Sequence, residues 1–347
     1  MRILLLALAA LTADEPPPLP SPGSVAVQPV APPLPAGPTT PGTAQGDEAQ
    51  VEHVYVRTNG IRMHVAMAGP DDGPVVIMLH GFPDFWYGWR HQMLPLAQRG
   101  WRVLVPDQRG YNLTDKPTDV EAYAVDTLVA DVVGLMDALG VQKAHVVAHD
   151  WGAGVAWRMA QVAPERMQRL VIINVPHLGV MRRTLENNPE QVARSWYMFF
   201  FQLPRLPDWL AARNDHQLLE RALTGSSREG TFTAAELRYY REAWSRPGAV
   251  TSMINWYRAA ARHGPSDVDK RITVPTLVLW GEKDVALMAE MAADSVAMCD
   301  DGQLVTFPEN SHWLHLEQPR AVTELIDAFL RGKRVEGTVT TRRGDAD

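Results

Sequence analysis

The chain has 347 residues, of which 46% are hydrophobic and 21% charged, and its net charge at pH 7 is −7. This length allows one large domain or two smaller ones with a well-buried core. The acidic balance disfavours a nucleic-acid-binding protein, which would carry a basic surface. The single cysteine, Cys299, excludes an intramolecular disulfide and any metal site built from several cysteines.

The two ends of the chain differ in composition from its middle. Residues 1–13, MRILLLALAALTA, resemble a short signal peptide, so we expect export to the periplasm or medium, with a cytoplasmic location as the alternative. Residues 14–50 contain eleven of the 27 prolines and no aromatic residue, which predicts a disordered tether. The polar residues 334–347 predict a flexible tail. No run approaches 18 apolar residues, so we expect no membrane anchor.

The middle of the chain predicts an α/β fold. Residues 51–69 alternate around Asn59-Gly60 and indicate a β-hairpin. Near-continuous apolar runs separated by helical patterns follow, as expected for parallel strands buried on both faces. These runs cover residues 75–79, 102–106, 144–148, 170–175, 276–280 and 303–307. Together the segments predict a mostly parallel, eight-stranded sheet.

One long interval between predicted strands breaks the βα alternation. After the sixth strand, helical and aromatic segments such as RSWYMFFFQLPRLPDWLAAR replace the expected next strand. We therefore predict a helical cap over residues 178–268, inserted into a core formed by 51–177 and 269–333. A lid in this position would cover the carboxyl ends of the strands, where open α/β sheets bind ligands.

The strongest catalytic signal is HVVAHDWGAGVAW, in which Asp150 follows a strand and precedes a helix. Small residues at Ala148 and Gly152 flank it, as a sharp strand-to-helix turn requires. This is the nucleophile-elbow pattern with aspartate in the place of serine. A capping role for Asp150 would explain the carboxylate but not the small residues on both sides.

A carboxylate nucleophile suits displacement at an sp³ carbon, because the resulting ester can then be cleaved by water. Cleavage needs a histidine base held by an acid. Asp284 follows the strand TLVLWG, and His312 follows the last predicted strand, in the expected order. His315 is a weaker rival for the base, and Asn174 occupies another place where an acid could stand.

An oxyanion formed during such chemistry needs donors. His80-Gly81-Phe82-Pro83 follows a predicted strand at the same edge of the sheet, so the amides of Phe82 and Trp151 are predicted to form an oxyanion hole. The Phe82–Pro83 bond is a candidate for the cis form. There is no GxGxxG after a strand, no P-loop and no HExxH, so we expect neither a cofactor nor a metal.

Residues 51–331 resemble the epoxide hydrolases of the α/β-hydrolase fold, a family that includes the soluble epoxide hydrolases. The resemblance rests on HGFPDFWYGWRHQ, DQRGYNLTDKP, HDWGAGVAW, SWYMFFFQLP, NWYR, WGEKD and SHW. It implies that Tyr197 and Tyr257 of the cap protonate the epoxide oxygen, and a phenol is a suitable donor for an alkoxide. An apolar epoxide is the expected substrate. The aromatic residues predicted to bind it are Trp86, Phe82, Trp151 and Trp313.

Two other functions remain open at this point. A haloalkane dehalogenase would share the fold and the triad, but Phe82 offers no side-chain donor to a halide, and the two tyrosines would have no role. A non-catalytic receptor on the same fold is the second alternative, although this chain keeps the whole triad. The sequence indicates no oligomeric state.

Overall fold

The computed structural model describes residues 27–29, 51–335 and 337–338. The strands in these residues are β1 (Val27–Pro29), β2 (Glu52–Thr58), β3 (Ile61–Ala68), β4 (Val75–Leu79), β5 (Arg102–Pro106), β6 (Ala144–His149), β7 (Met167–Ile173), β8 (Thr276–Gly281), β9 (Gly302–Phe307) and β10 (Gly337–Thr338). They form one sheet in the order β1-β2-β3-β5-β4-β6-β7-β8-β9-β10. The pairs β1–β2, β2–β3 and β3–β5 are antiparallel, and all other pairs are parallel.

The predicted fold class is confirmed, since β2–β9 are the eight expected strands. The edge strands β1 and β10 were not predicted, because three and two residues are too few to produce a pattern. Strand β1 pairs with residues 54–56 of β2, which corrects the prediction of a disordered tether at residues 27–29. Strand β10 likewise lies within the predicted flexible tail. The rest of the tether, the signal peptide predicted over 1–13 and residues 339–347 lie outside the described residues.

Helices connect the parallel strands along the chain. Their packing against the sheet accounts for the burial of these strands. The helices in the described residues are α1 (Arg90–Gln98), α2 (Val125–Ala138), α3 (Trp151–Val162), α4 (Leu178–Asn187), α5 (Pro189–Arg194), α6 (Trp196–Phe200), α7 (Leu206–Ala212), α8 (Gln217–Gly225), α9 (Ala234–Trp244), α10 (Ala249–His263), α11 (Glu290–Ala297), α12 (Leu314–Glu317) and α13 (Pro319–Leu330). Helix α1 packs against α13, and α2 packs against α3. Every residue of β6 and β8 is buried, which explains why both strands are mostly apolar and do not alternate with exposed polar residues. No helix in the described ranges combines the length and apolar character needed to cross a bilayer.

The helical insertion between β7 and β8 contains α4–α10. Indole groups join it to the rest of the molecule through hydrogen bonds. Trp244 Nε1 donates to the Pro83 carbonyl (2.6 Å), and Trp256 Nε1 donates to the Arg109 carbonyl (3.0 Å). In the opposite direction, Trp313 Nε1 donates to the hydroxyl of Ser226 (2.8 Å). The insertion is therefore tied to the loops that follow β4, β5 and β9, all at the carboxyl edge of the parallel strands.

The turn between β6 and α3 packs tightly against the end of β4. A Cβ atom on Gly152 would lie against the carbonyl oxygens of Leu79 and His80. A Cβ atom on Gly154, two residues further along the helix, would meet only the Trp151 ring at 3.7 Å, an ordinary van der Waals contact. The first glycine is thus required by the close approach of two backbones, and the second is not.

This difference predicts opposite effects for two alanine substitutions in α3. Gly152→Ala should lower the free energy of unfolding by about 1–3 kcal/mol, the usual cost of overpacking. Gly154→Ala is the matched control and should be neutral or stabilise by up to about 1 kcal/mol, because alanine favours a helix interior. Urea unfolding followed by circular dichroism measures both. Equal stability of the two variants would contradict the backbone contact.

Candidate active site

Asp150 occupies the turn between β6 and α3, as the sequence predicts. Its backbone has φ 49° and ψ −127°, a left-handed region that residues other than glycine rarely adopt. Such strain persists only where surrounding structure fixes it, and it is common at functional sites. A Cβ atom on Gly81 would meet the Asp150 side chain, so the absence of a side chain at Gly81 leaves room for the carboxylate.

The Asp150 carboxylate is held by donors from two other loops. The Phe82 amide donates to Oδ1 at 2.6 Å, and Nε2 of His312 lies 3.5 Å from Oδ2. Burial alone would raise the pKa of Asp150. The hydrogen bond and charge of His312, with the Phe82 amide, outweigh burial and lower the pKa below its ordinary value. Asp150 is therefore ionised at neutral pH, as a nucleophile must be. The Phe82–Pro83 peptide bond is cis.

Asp284 and His312 form the predicted acid–base pair. His312 Nδ1 lies 2.7 Å from Asp284 Oδ2, and both side chains are buried. Burial opposes the charge on His312, but Asp284 and Asp150 outweigh it and raise the pKa of His312 to about 10. The imidazole thus bridges two carboxylates through its two nitrogens, with Asp150 on one side and Asp284 on the other.

Asn174 positions Asp284, a role that the sequence analysis did not assign to it. Its Nδ2 donates to Asp284 Oδ2 at 3.0 Å, and its Oδ1 accepts from the Gly281 amide at 2.8 Å. The amides of Ala286 and Leu287 donate to the other oxygen of Asp284. Every contact holds Asp284 in place for His312. The location of Asn174 directly after β7 could have indicated a role in the site. The sequence analysis considered only whether Asn174 is the acid, which an amide cannot be.

The two predicted tyrosines lie together above the Phe82 and Trp151 rings. Helix α6 supplies Tyr197 and α10 supplies Tyr257, and their ring centroids are 5.9 Å apart. The Tyr257 ring also contacts Phe82 (5.2 Å) and Trp151 (4.9 Å). Phe201 closes the group, at 4.8 Å from the Tyr257 ring. The result is an aromatic chamber whose floor is the loop that carries the nucleophile.

The electrostatics of this chamber link both phenols to the nucleophile. Burial raises the pKa of Tyr197, and the charges of Asp150 and Asp284 raise it further. Burial and then the Asp150 charge raise the pKa of Tyr257 well above its usual value, while a hydrogen bond with Trp151 opposes the shift. Both hydroxyls therefore keep their protons in the resting site and are available as donors.

The structure does not place Trp86 in this aromatic group, and its contact with a substrate stays a prediction. Its amide donates to Asp107, and its ring packs against His53 of β2 at 4.9 Å. The short 3₁₀ turn over Trp86–Trp89 places the indole between this loop and the edge of the sheet. Asp107 itself accepts from Asn112 and pairs with His64, so its carboxylate stabilises this loop.

Trp313 lies beside the catalytic histidine, with its ring 5.5 Å from that of His312. Its indole N–H donates a hydrogen bond to the hydroxyl of Ser226 in the insertion. Contact between Trp313 and a substrate stays a prediction. His149 Nε2 donates to the main-chain carbonyl of His312 at 2.9 Å. The His315 ring lies against His149 in a tilted arrangement, with the ring centroids 4.4 Å apart. It is therefore His312 that pairs with Asp284.

No group of three or more His, Cys, Asp or Glu side chains that could hold a metal ion is found in the part of the chain that the structure describes. The site brings together the carboxylates of Asp150 and Asp284, the His312 imidazole, two phenols and backbone amides. The amide of Trp151, the second predicted oxyanion donor, belongs to the first residue of α3, next to Asp150.

Comparison with known proteins gives the same family from sequence and from structure. Residues 74–319 match the family model described as the alpha/beta hydrolase fold. The AB hydrolase superfamily protein YfhM of Bacillus subtilis is 43% identical over 279 residues, which cover 80% of this chain and 98% of that protein. Mouse epoxide hydrolase 4 is 38% identical over 299 residues, covering 84% of this chain and 83% of that protein.

Solved structures that resemble this chain are also epoxide hydrolases. The Bacillus megaterium epoxide hydrolase bound to an inhibitor has a TM-score of 0.73 and 31% identity, and the match covers 80% of this chain and 99% of that one. Epoxide hydrolase A of Mycobacterium thermoresistibile has a TM-score of 0.72 and 28% identity, covering 82% and 100%. The chain therefore belongs to the epoxide hydrolases of the α/β-hydrolase fold family.

Proposed function

We propose that the protein hydrolyses an apolar epoxide to a vicinal diol through a covalent ester on Asp150. The observation that carries this proposal is the proximity of two phenols, Tyr257 buried and Tyr197 partly buried, to a carboxylate nucleophile. An Asp–His–Asp triad alone would serve several displacement reactions. The aromatic chamber around Tyr197 and Tyr257 adds proton donors where a leaving oxygen would stand, and its apolar walls suit an apolar substrate.

The first step is displacement at an epoxide carbon. The Phe82 amide already binds Oδ1 of Asp150, so Oδ2 is the oxygen that attacks. The new Asp150–carbon bond forms as the carbon–oxygen bond of the ring breaks, and the released oxygen takes a proton from one phenol while the other donates a hydrogen bond. A developing alkoxide in a dry cleft is costly without such donors. The products of this step are a hydroxyalkyl ester and a tyrosinate.

The second step is hydrolysis of that ester. After the ester has formed, His312 gives its proton to the tyrosinate and becomes neutral. It then removes a proton from water, and the resulting hydroxide adds to the carboxyl carbon of Asp150. The amides of Phe82 and Trp151 stabilise the oxyanion of the tetrahedral intermediate. As the intermediate collapses, its hydroxyl proton passes to the departing alkoxide, the diol is released, and the Asp150 carboxylate is restored beside the protonated His312. Asp284 holds the imidazole in the required tautomer.

The charge on Asp150 connects the two steps. In the resting site it helps to keep His312 protonated and both phenols un-ionised. Ester formation removes this charge. The pKa of His312 then falls, which turns the imidazole into a base at the stage where a base is needed. The same loss of charge makes the phenols better acids as the ring opens.

A haloalkane dehalogenase is the nearest alternative, and a non-catalytic receptor is the second. The Phe82 ring packs on Phe201 and Tyr257 and brings no N–H donor to a halide. Styrene oxide and a 1-haloalkane assayed side by side distinguish the three cases. Diol formation supports the proposal, halide release supports the dehalogenase, and binding of either compound without turnover supports the receptor.

We expect the two steps to separate in the His312→Gln variant. Asp150 remains able to attack, but no base activates water, so the ester should accumulate. Intact-protein mass spectrometry after exposure to styrene oxide should show the protein plus one substrate mass. Asp150→Ala is the control and should show neither adduct nor turnover. A folded His312→Gln protein that turns over without any adduct would contradict a covalent intermediate.

The tyrosines should share one role. Tyr197→Phe and Tyr257→Phe should each slow alkylation of Asp150 by about 10- to 1,000-fold, the scale of one acid or oxyanion donor. The double variant should be nearly inactive although it remains folded, because phenylalanine preserves ring packing. Single-turnover rates in the four proteins measure this effect. Alkylation by the double variant at the parent rate would show that the two tyrosines only pack and do not donate protons.

The two half-reactions should also differ in their pH dependence. Alkylation needs ionised Asp150, whose pKa is lowered, so its single-turnover rate should be flat between about pH 6 and pH 9. Hydrolysis needs neutral His312 and should rise with pH. Because the ester has removed the Asp150 charge, its midpoint should lie well below the pKa of about 10 in the resting site. A hydrolysis midpoint near 10 would show that the two groups are not coupled.

A further inference from the structure

Exposed apolar side chains concentrate on one short stretch of the cap. The large hydrophobic residues that are most exposed in the described chain are Val162, Trp196, Phe199, Leu203, Leu206, Trp209, Leu218 and Val285. Five of these eight lie between residues 196 and 209, on α6, α7 and the turn between them. We call these five the apolar patch: Trp196, Phe199, Leu203, Leu206 and Trp209. Trp196 and Trp209 are 63% and 53% exposed.

Singly exposed apolar residues are ordinary, but a cluster of them marks an interaction surface. Two of the five are tryptophans, whose apolar ring and polar N–H suit the boundary between water and lipid. Phe199 and the two leucines supply apolar side chains without a polar group. This composition is typical of surfaces that enter the interfacial layer of a membrane.

The charges around the apolar patch are positive. The acidic residues between 190 and 215 are Glu190, Asp208 and Asp215, and each forms an ion pair with an arginine, Arg194, Arg258 and Arg241 respectively. Arg205 and Arg213 are exposed. The guanidinium of Arg213 lies 4.2 Å from the centre of the Trp209 ring. Within residues 51–335, neither Arg205 nor Arg213 forms an ion pair.

The basic character extends beyond the patch. A groove of about 940 Å³ adjoins it, and its lining includes Arg205, Trp209 and Arg262. Arg262 is also exposed and unpaired among residues 51–335. The whole cap, residues 178–268, contains twelve arginines against nine acidic residues, although the complete chain has a net charge of −7. The positive side of an acidic protein is therefore the side that carries the exposed tryptophans.

We infer that the apolar patch docks this protein on the surface of an anionic lipid bilayer, with the tryptophans in the interfacial layer and the arginines on lipid phosphates. Each Lys or Arg near such a surface contributes about 1 kcal/mol of attraction. A second copy of the chain is a less suitable occupant, because two copies would bring Arg205 and Arg213 against the same arginines without a compensating carboxylate.

The position of the patch relates docking to chemistry. Helix α6 carries Trp196 and Phe199 on its exposed side and Tyr197 in the aromatic chamber. An apolar epoxide dissolved in the membrane would thus be present next to the helix that supplies a ring-opening acid. This part of the inference rests on the proposed function, whereas the binding of lipid does not.

Co-sedimentation with vesicles tests the docking. The full chain should bind vesicles of equimolar phosphatidylcholine and phosphatidylglycerol, bind vesicles of phosphatidylcholine alone much less, and dissociate as salt is raised. Trp196→Ser combined with Trp209→Ser should weaken binding about tenfold or more, and so should Arg205→Glu combined with Arg213→Glu. Leu218→Ser and Arg221→Glu are matched controls at exposed positions of the cap outside the patch, and should bind as the parent does.

Several results would overturn the inference. The first is that the parent protein does not bind anionic vesicles. The second is that the patch variants bind these vesicles as well as the control variants do. A third comes from analytical ultracentrifugation: a parent dimer that the tryptophan variant converts to a monomer would make the patch a contact between copies.

Turnover of a water-soluble epoxide separates this inference from the proposed function. It should be equal in the parent and the patch variants, whereas turnover of a vesicle-borne apolar epoxide should fall in the patch variants alone. Vesicle binding without turnover of any epoxide would contradict the proposed function and leave the docking surface standing. Equal turnover of the vesicle-borne epoxide in all variants would show that docking does not deliver substrate.

Discussion

The carboxylate of Asp150 carries its charge in a cleft that is largely closed to water, and such a charge is stable only where donors meet it. The surrounding structure supplies two of them, the Phe82 amide after β4 and His312 after β9, while the strained turn between β6 and α3 directs the side chain toward both. Each of these loops leaves the carboxyl edge of the sheet. The order and direction of the strands bring these loops together, and the ionised form of Asp150 therefore depends on the fold.

The cap completes this arrangement from the opposite side. Its phenols cannot neutralise Asp150 by losing protons, because the same charge raises their pKa values. In the proposed mechanism they remain neutral donors until negative charge develops on the substrate oxygen. The core then supplies the nucleophile and the cap supplies the protons, so the proposed site needs both parts of the molecule.

The sequence was informative where chemistry depends on local order. Asp150, Asp284 and His312 follow strands in a fixed sequence, and small residues around Asp150 indicate the turn, so these residues could be placed before the structure was known. Contacts between distant segments leave no such pattern. Asn174 reaches Asp284 across 110 positions, and only the pairing of β7 with β8 makes this contact visible.

Trp86 illustrates a property that the sequence does not specify. Whether an aromatic residue in a loop near Asp150 faces the substrate depends on the direction of its side chain, which one 3₁₀ turn sets here. The edge strands β1 and β10 were missed for a simpler reason, since two or three residues cannot show a period of two. Residue identity predicted the reactive groups well, and residue orientation had to come from the fold.

The indole hydrogen bonds between cap and core bear on how such proteins can be recombined. Trp244 and Trp256 donate from the cap to the main-chain carbonyls of Pro83 and Arg109. A main-chain acceptor is present whatever side chain a relative carries there, so the core half of each contact is independent of sequence. Only the donors are specific to this cap. A foreign cap grafted between β7 and β8 would thus bring its own means of attachment, provided that it keeps those two tryptophans, and the recipient core would need no matching substitution.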